Sequence, residues 1–272
     1  MEFRVVRHFI FRKLSLKRKN QLHRFSILLK PSSVFFFVTA GAVKRTSIDV
    51  KHFRSITMQS RSRDIIEELE NLILQVESKR FWPASRQLRF IDGMSGQSFR
   101  TLLNLLFATR KNSYLEIGTW KGSTFCSAIY RNTIEAVCVD NWSEFGGPAQ
   151  VAIRNISKRV NESSSISIVA RDFREMSFLG LLQKEIDVYF FDGPHSEKDH
   201  YDGARVINSL SFKSLLFIVD DWNWETVRQG TLRGLESLGI NIVGQIEIFS
   251  DSSAYGRHSR WHNGYAFFVL ER

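Results

Sequence analysis

The chain reads as an α/β protein, a mostly parallel sheet with helices layered on its faces, and three observations carry that reading. Residues 114–122, Tyr-Leu-Glu-Ile-Gly-Thr-Trp-Lys-Gly, form an apolar strand that breaks into a glycine-bounded turn, and Ser123 and Thr124 then open a helical run over 125–130. Five apolar runs, most of them separated by helical patterns, each deliver a carboxylate at or just past the C-terminal end. Two more runs near the end of the chain follow one another with no helix between them. A strand, a tight glycine turn and a helix N-terminus make a ligand cradle, because glycine admits a close backbone approach and the free N–H groups face the ligand.

In chain order, the first amphipathic element begins at Ser62, where Ile65, Ile66, Leu69, Leu72, Ile73 and Val76 recur at helical spacing. Asp64, Glu67, Glu68 and Glu70 load its first half with acid, which suits the helix dipole. Phe81-Trp82-Pro83 and Asp92-Gly93-Met94-Ser95-Gly96 mark loops. A second helix is predicted over 97–109 with Phe99, Leu102, Leu103 and Leu106 inward. After the glycine turn, a β-rich run at 135–139 ends on Asp140, and a third strand at 166–170 is followed by Asp172. A fourth strand at 186–191 ends in Asp192-Gly193-Pro194-His195, and a fifth at 215–219 ends in Asp220-Asp221. Pro148 starts a helix that reaches Val160, and helices over 197–210 and 225–238 follow strands four and five, the last capped by Gly239. Strands at 242–249 and 264–270 close the chain around a polar, aromatic loop.

The 272 residues suffice for one well-buried α/β core plus extra segments, and the formal charge of +10 is unevenly placed. Residues 1–60 hold 13 Lys/Arg against Glu2 and Asp49, whereas the remainder carries 25 basic and 26 acidic residues. The body is therefore close to neutral, and the overall charge says little about its substrate. The apolar stretch at 34–43 is too short to span a bilayer, which needs about 20 residues. A secretory signal is disfavoured by the roughly 30 residues of scattered basic sequence before it. The segment reads as a transit peptide, as a basic arm for nucleic acid or anionic lipid, or as sequence upstream of a start at Met58. A disordered extension over 1–60 ahead of a domain at 61–272 is the expectation. Cys126 and Cys138 fall inside core elements without metal-ligand spacing, as reduced thiols of an intracellular protein would. A cytoplasmic location is expected, with organelle targeting left open.

The acids carry the chemistry. Asp140 stands 22 residues after Gly118, where doubly wound folds place a carboxylate that accepts a ribose. Asp192 and Asp220 end strands that would be neighbours, so Asp192, Asp220, Asp221 and His195 would converge in one crevice. Clustered carboxylates repel, and a hard divalent cation such as Mg²⁺ would keep them ionised. His195 has a side chain of the right kind to take a proton from a hydroxyl activated there. The plainer alternative makes Asp192-Gly193-Pro194 a turn and Asp220-Asp221 a helix cap.

The pattern Glu116-x-Gly118-x-x-x-Gly122 resembles the first motif of class I S-adenosylmethionine-dependent methyltransferases rather than the G-x-G-x-x-G of dinucleotide-binding proteins. With Asp192-x-x-His195 and Asp220-Asp221, the chain is similar over about residues 90–270 to the macrocin O-methyltransferase-like branch, which methylates sugar hydroxyls with a metal. The resemblance implies a three-layer Rossmann-like fold whose seven-stranded sheet has the order 3-2-1-4-5-7-6 and an antiparallel last strand. It implies S-adenosylmethionine held by Glu116 (on the ammonium side), Gly118, Thr119, Trp120, Lys121, Gly122, Ser123, Asp140, Asn141 and Asp172, with Met94 and Ser95 closing over it. It makes Asp192, Asp220 and Asp221 metal ligands, His195 the base and Asp192 part of the catalytic centre. The loop 255–262 would hang over the substrate side, and Trp142 would either face an adenine or pack. Pro194 and the aromatic run Trp222-Asn223-Trp224 depart from the family pattern.

The implied reaction is O-methylation of a small hydroxylated acceptor such as a sugar or a phenol-like compound. Competing readings are a nucleic-acid methyltransferase, for which Arg257, His258, Arg260 and Trp261 offer some basic and aromatic character, and a cofactor-binding fold without turnover. An NAD-dependent oxidoreductase is disfavoured by the glycine spacing. No membrane span is expected, nucleic acid is a disfavoured partner, and a homo-oligomer is left open.

Overall fold

The computed structural model describes residues 47–52, 60–78, 88, 90–109, 113–250 and 259–272. All of these belong to one unit, Arg45–Arg272. The expectations for residues 1–46, for a start at Met58 and for loop residues 255–258 lie outside the described residues.

The elements are β1 (Ser47–His52), α1 (Ser60–Glu77), α2 (Gln97–Thr109), β2 (Ser113–Ile117), α3 (Ser123–Ile129), β3 (Glu135–Asp140) and α4 (Ala149–Ser157). Then come β4 (Ser165–Ala170), β5 (Val188–Phe191), α5 (Glu197–Arg205), β6 (Ser214–Asp220), α6 (Glu225–Leu238), β7 (Asn241–Phe249) and β8 (Tyr265–Glu271). They form one sheet in the order β4-β3-β2-β5-β6-β8-β7-β1. Strands β4 through β6 run parallel, and β8 is antiparallel to both β6 and β7.

The sheet therefore has eight strands rather than the expected seven, and the expected order is corrected by the extra one. β1 pairs antiparallel with β7, Ser47 opposite Phe249, and extends the sheet beyond it. This strand was hidden because it lies in the basic, acid-poor region read as an extension. The sheet thus takes in residues from 47, ahead of residue 61. Apart from β1, the strands keep the succession the resemblance implied.

Two apolar clusters sandwich the sheet. The predicted face of α1 (Ile65, Ile66, Leu69, Leu72, Ile73, Val76) is buried against one side, together with Phe99, Leu102, Leu103 and Leu106 of α2 and with Phe125 of α3. Each fully buried side chain of this kind removes enough surface from water to be worth about 1.5–3 kcal/mol. Ala204 of α5 and Val227 and Leu235 of α6 cover the other side. Helix α1 begins at Ser60 with no acid in its first turn, so the dipole argument for Asp64, Glu67, Glu68 and Glu70 does not apply. Register aligns the strand ends: Ile117 pairs with Val139 and Phe191, and Phe191 with Val219. The next residues, Gly118, Asp140, Asp192 and Asp220, therefore leave the sheet along one edge.

Candidate active site

The glycine turn is shaped by its neighbours. Gly118 has φ +90°, and a Cβ there would sit 1.7 Å from the carbonyl oxygen of Asp192. Only glycine lets β2 and β5 end side by side here. Gly122 takes φ +80° and leads into α3, its N–H bonded to the carbonyl of Thr119 at 2.7 Å. An open cleft lies beside the turn, lined by Gly118, Asp140, Asn141, Asp172, Arg174 and Pro194 among others.

Asp140 braces this turn. Its Oδ2 accepts the N–H groups of Thr119 (2.8 Å) and Trp120 (2.7 Å), and Oδ1 that of Trp142 (2.6 Å). A carboxylate expected to meet a ribose thus already ties two loops together at the cleft wall. Trp142 donates its indole N–H to the carbonyl of Trp120 at 2.8 Å, the packing outcome. Asn141 and Asp172 are joined, Nδ2 to Oδ2 at 3.3 Å, and Asp172 also pairs with Arg174.

Glu116 is fully buried, and its oxygens accept the hydroxyls of Tyr114 (2.5 Å) and Thr124 (2.9 Å). Burial raises its carboxyl to about 8. Glu116 thereby ties β2 to α3 from inside, directly below the glycine turn. Lys121 turns to Asp92 at 2.6 Å and lies over the Trp120 ring. Ser123 and Ser95 are buried and meet hydroxyl to hydroxyl at 3.0 Å, with Met94 half-buried beside them.

The second cluster forms where β5 and β6 end. Ligand atoms of Asp192, His195 and Asp221 lie within 4.8 Å of one another. His195 Nε2 is 2.8 Å from Asp221 Oδ2, and the Asp221 Oδ1 accepts from Asn263 at 2.6 Å. Asp221 holds this position with a left-handed backbone, φ +55°. Burial works against a charged His195, but the bond to Asp221 and its charge outweigh it and raise the imidazole above its usual range. Burial also raises Asp192, and the neighbouring Asp220 and Asp221 push the same way.

Asp220 lies buried against this group: its Oδ1 accepts the N–H of Asp221 at 2.8 Å and its carboxyl meets that of Asp192, while His195 joins Asp192 and Asp221 as the third group within ligand distance.

Sequence reasoning missed Asn263, which reaches Asp221 from 42 residues away, and Trp224, which sets its ring edge-on to His195 at 4.7 Å while 42% exposed. The described part of the expected overhang, 259–262, leads to Asn263 at Asp221, and His262 lies close enough to Asp221 to feel its charge. Ser259, Trp261 and His262 are buried, and Arg260 and Trp261 bond to Glu77, so neither is offered to nucleic acid.

Residues 115–222 match the family model described as a methyltransferase domain. The matched span runs from β2 to just past β6 and contains the glycine turn, Asp140 and the Asp192–His195–Asp221 group. An O-methyltransferase of Bacillus cereus solved with SAH is 17% identical, with 75% of this chain and 91% of that one covered and a TM-score of 0.44. The O-methyltransferase TomG of Streptomyces achromogenes, solved with SAM, is 15% identical over 79% and 100%, TM-score 0.42. A proposed RNA methyltransferase of Pyrococcus horikoshii is 12% identical over 79% and 99%, TM-score 0.42. Likeness at this level carries no information about the acceptor. No curated protein matches the chain.

Proposed function

We propose that this protein is an S-adenosylmethionine-dependent O-methyltransferase that acts on a small hydroxylated acceptor with the help of a divalent cation. The observation that carries the proposal is the convergence of Asp192, His195 and Asp221 at the strand edge that also bears the glycine turn. The two carboxylates are fitting oxygen donors for Mg²⁺ or a similar hard ion, and the imidazole beside them is left to act as a base. A bound cation would make an acceptor hydroxyl more acidic. The glycine turn, with the cleft at Asp140, Asn141 and Asp172, fits a cofactor that needs close backbone approach and polar edges for a sugar.

The chain's own groups then have distinct work. Asp192 and Asp221 hold charge and orient the acceptor oxygen. His195, fixed by Asp221, takes the acceptor's proton, and Asn263 holds Asp221 from behind. Transfer of the methyl needs little covalent chemistry from the protein beyond alignment and charge control. Trp224 offers an exposed apolar ring beside the base, a surface for the flat side of an acceptor.

The test is calorimetry and turnover with His195→Ala. As a base, its loss lowers turnover on a hydroxylated acceptor by about 10²–10⁴-fold and leaves Mg²⁺ affinity in place. Loss of Mg²⁺ binding instead makes His195 a ligand. Transfer that proceeds unchanged in EDTA would remove the cation from the proposal.

A further inference from the structure

We infer that Arg100 is a positioning residue that builds the second wall of the cofactor cradle, by clamping Ile91–Ser95 against the first turn of α3. The inference rests on the reading of the glycine turn as the cofactor site.

Arg100 is 2% exposed on α2, and its guanidinium is spent on one short segment. Its Nε donates to Ser95 Oγ at 2.8 Å. One terminal nitrogen donates to the carbonyls of Ile91 (2.7 Å) and Leu88 (3.3 Å), the other to that of Gly93 at 3.1 Å. Four oxygens from Leu88 to Ser95 are thus gathered on one planar fork, a task that lysine's single point of charge cannot perform. The gathered segment lies directly on the cradle. Ser95 Oγ meets Ser123 Oγ at 3.0 Å, and a Cβ on Gly93 would fall 2.2 Å from the same Ser123 oxygen and 3.0 Å from Arg100. On the outer side, Lys121 of the turn pairs with Asp92 at 2.6 Å. The chain from Asp92 to Ser95 is therefore held from within by Arg100 and from without by Lys121. Its position relative to Gly122 and Ser123 is set by α2 through the guanidinium.

A wall placed in this way governs how tightly the cradle closes on its ligand. Arg100→Lys keeps the charge and loses the fork, and Ser95→Ala removes only the hydroxyl link to Arg100 and Ser123. Leu235→Ala serves as a control, because it loosens the core on the opposite face of the sheet. Binding of S-adenosylhomocysteine is measured by calorimetry well below each protein's unfolding midpoint, and KM for S-adenosylmethionine is compared with kcat.

Arg100→Lys is expected to weaken binding about tenfold, since small misplacements of a binding wall have effects of this size or larger. Ser95→Ala, which loses the hydroxyl's two hydrogen bonds, is expected to weaken it about threefold, since each bond acts on the wall rather than on the ligand. In both, KM rises by more than kcat falls, while Leu235→Ala binds as the parent does. If Arg100→Lys does not fold, Ser95→Ala decides alone. Parent-like binding by both variants, or an equal loss in Leu235→Ala, would overturn the inference and leave the cofactor reading standing. A parent protein that does not bind S-adenosylhomocysteine would defeat that reading and the inference with it.

Discussion

Single residues show how far a motif can be trusted. Gly118 and Gly122 adopt the left-handed geometry that the spacing required. The acids around them were harder to place from the sequence. Glu116 and Asp140 both stand where the pattern puts them, yet one is sealed in the core and the other is engaged by three backbone N–H groups. A motif specifies residue type and position, while hydrogen bonding is settled by whatever the fold brings alongside. His200 is the clearest case of a residue with no motif. It is buried between α5 and α6 with Nδ1 3.3 Å from Thr231, and burial, with a smaller push from His195, lowers its imidazole to about 3. A group whose folded pKa is depressed contributes stability in full above its unfolded value of about 6.5 and loses it as pH falls toward 3. Between pH 6.5 and 5 the folded state should lose about 2 kcal/mol from this residue. Urea unfolding at the two pH values should show that slope in the parent and a shallower one in His200→Gln; parallel slopes would contradict the assignment.

At the scale of elements, helical and strand periodicity located every predicted helix and strand within a few residues. The exception is β1. Its six residues alternate Ile48 and Val50 with polar neighbours, a signal too short to stand out in the basic segment around it, and they become a strand by pairing with the edge of β7. Cross-strand pairs contribute roughly 0.2–1 kcal/mol each, so the whole strand is worth about 2 kcal/mol. A chain beginning at residue 58 should therefore unfold at lower urea concentration than one beginning at residue 45. Equal midpoints would show that β1 adds nothing to the sheet.

On the scale of the whole molecule, ligand linkage gives the simplest check on the proposed activity. A cofactor that binds only the folded protein, supplied at about 100 times its dissociation constant, stabilises it by about 2.7 kcal/mol. For a domain of this size that raises the melting temperature by roughly 5–10 °C. S-adenosylhomocysteine should produce such a shift and NAD should not. The reverse result would return the glycine turn to the dinucleotide-binding class. Among the described residues no helix is long and apolar enough to cross a membrane.

The amino-acid sequence by itself determined the alternation of strands and helices, the glycine turn and the row of carboxylates that follow the strands. Those are local properties, written in side-chain period and in the conformational freedom of glycine. Only the tertiary structure decided which carboxylates face each other. His195 joins Asp192 and Asp221 while Asp220 backs Asp192 from the buried side, because that arrangement depends on strand register and on the left-handed turn at Asp221. The contributions of Asn263 and Arg100 likewise come from contacts made across the fold, to Asp221 from 42 residues away and to the segment from Leu88 to Ser95. No spacing along the chain encodes such contacts.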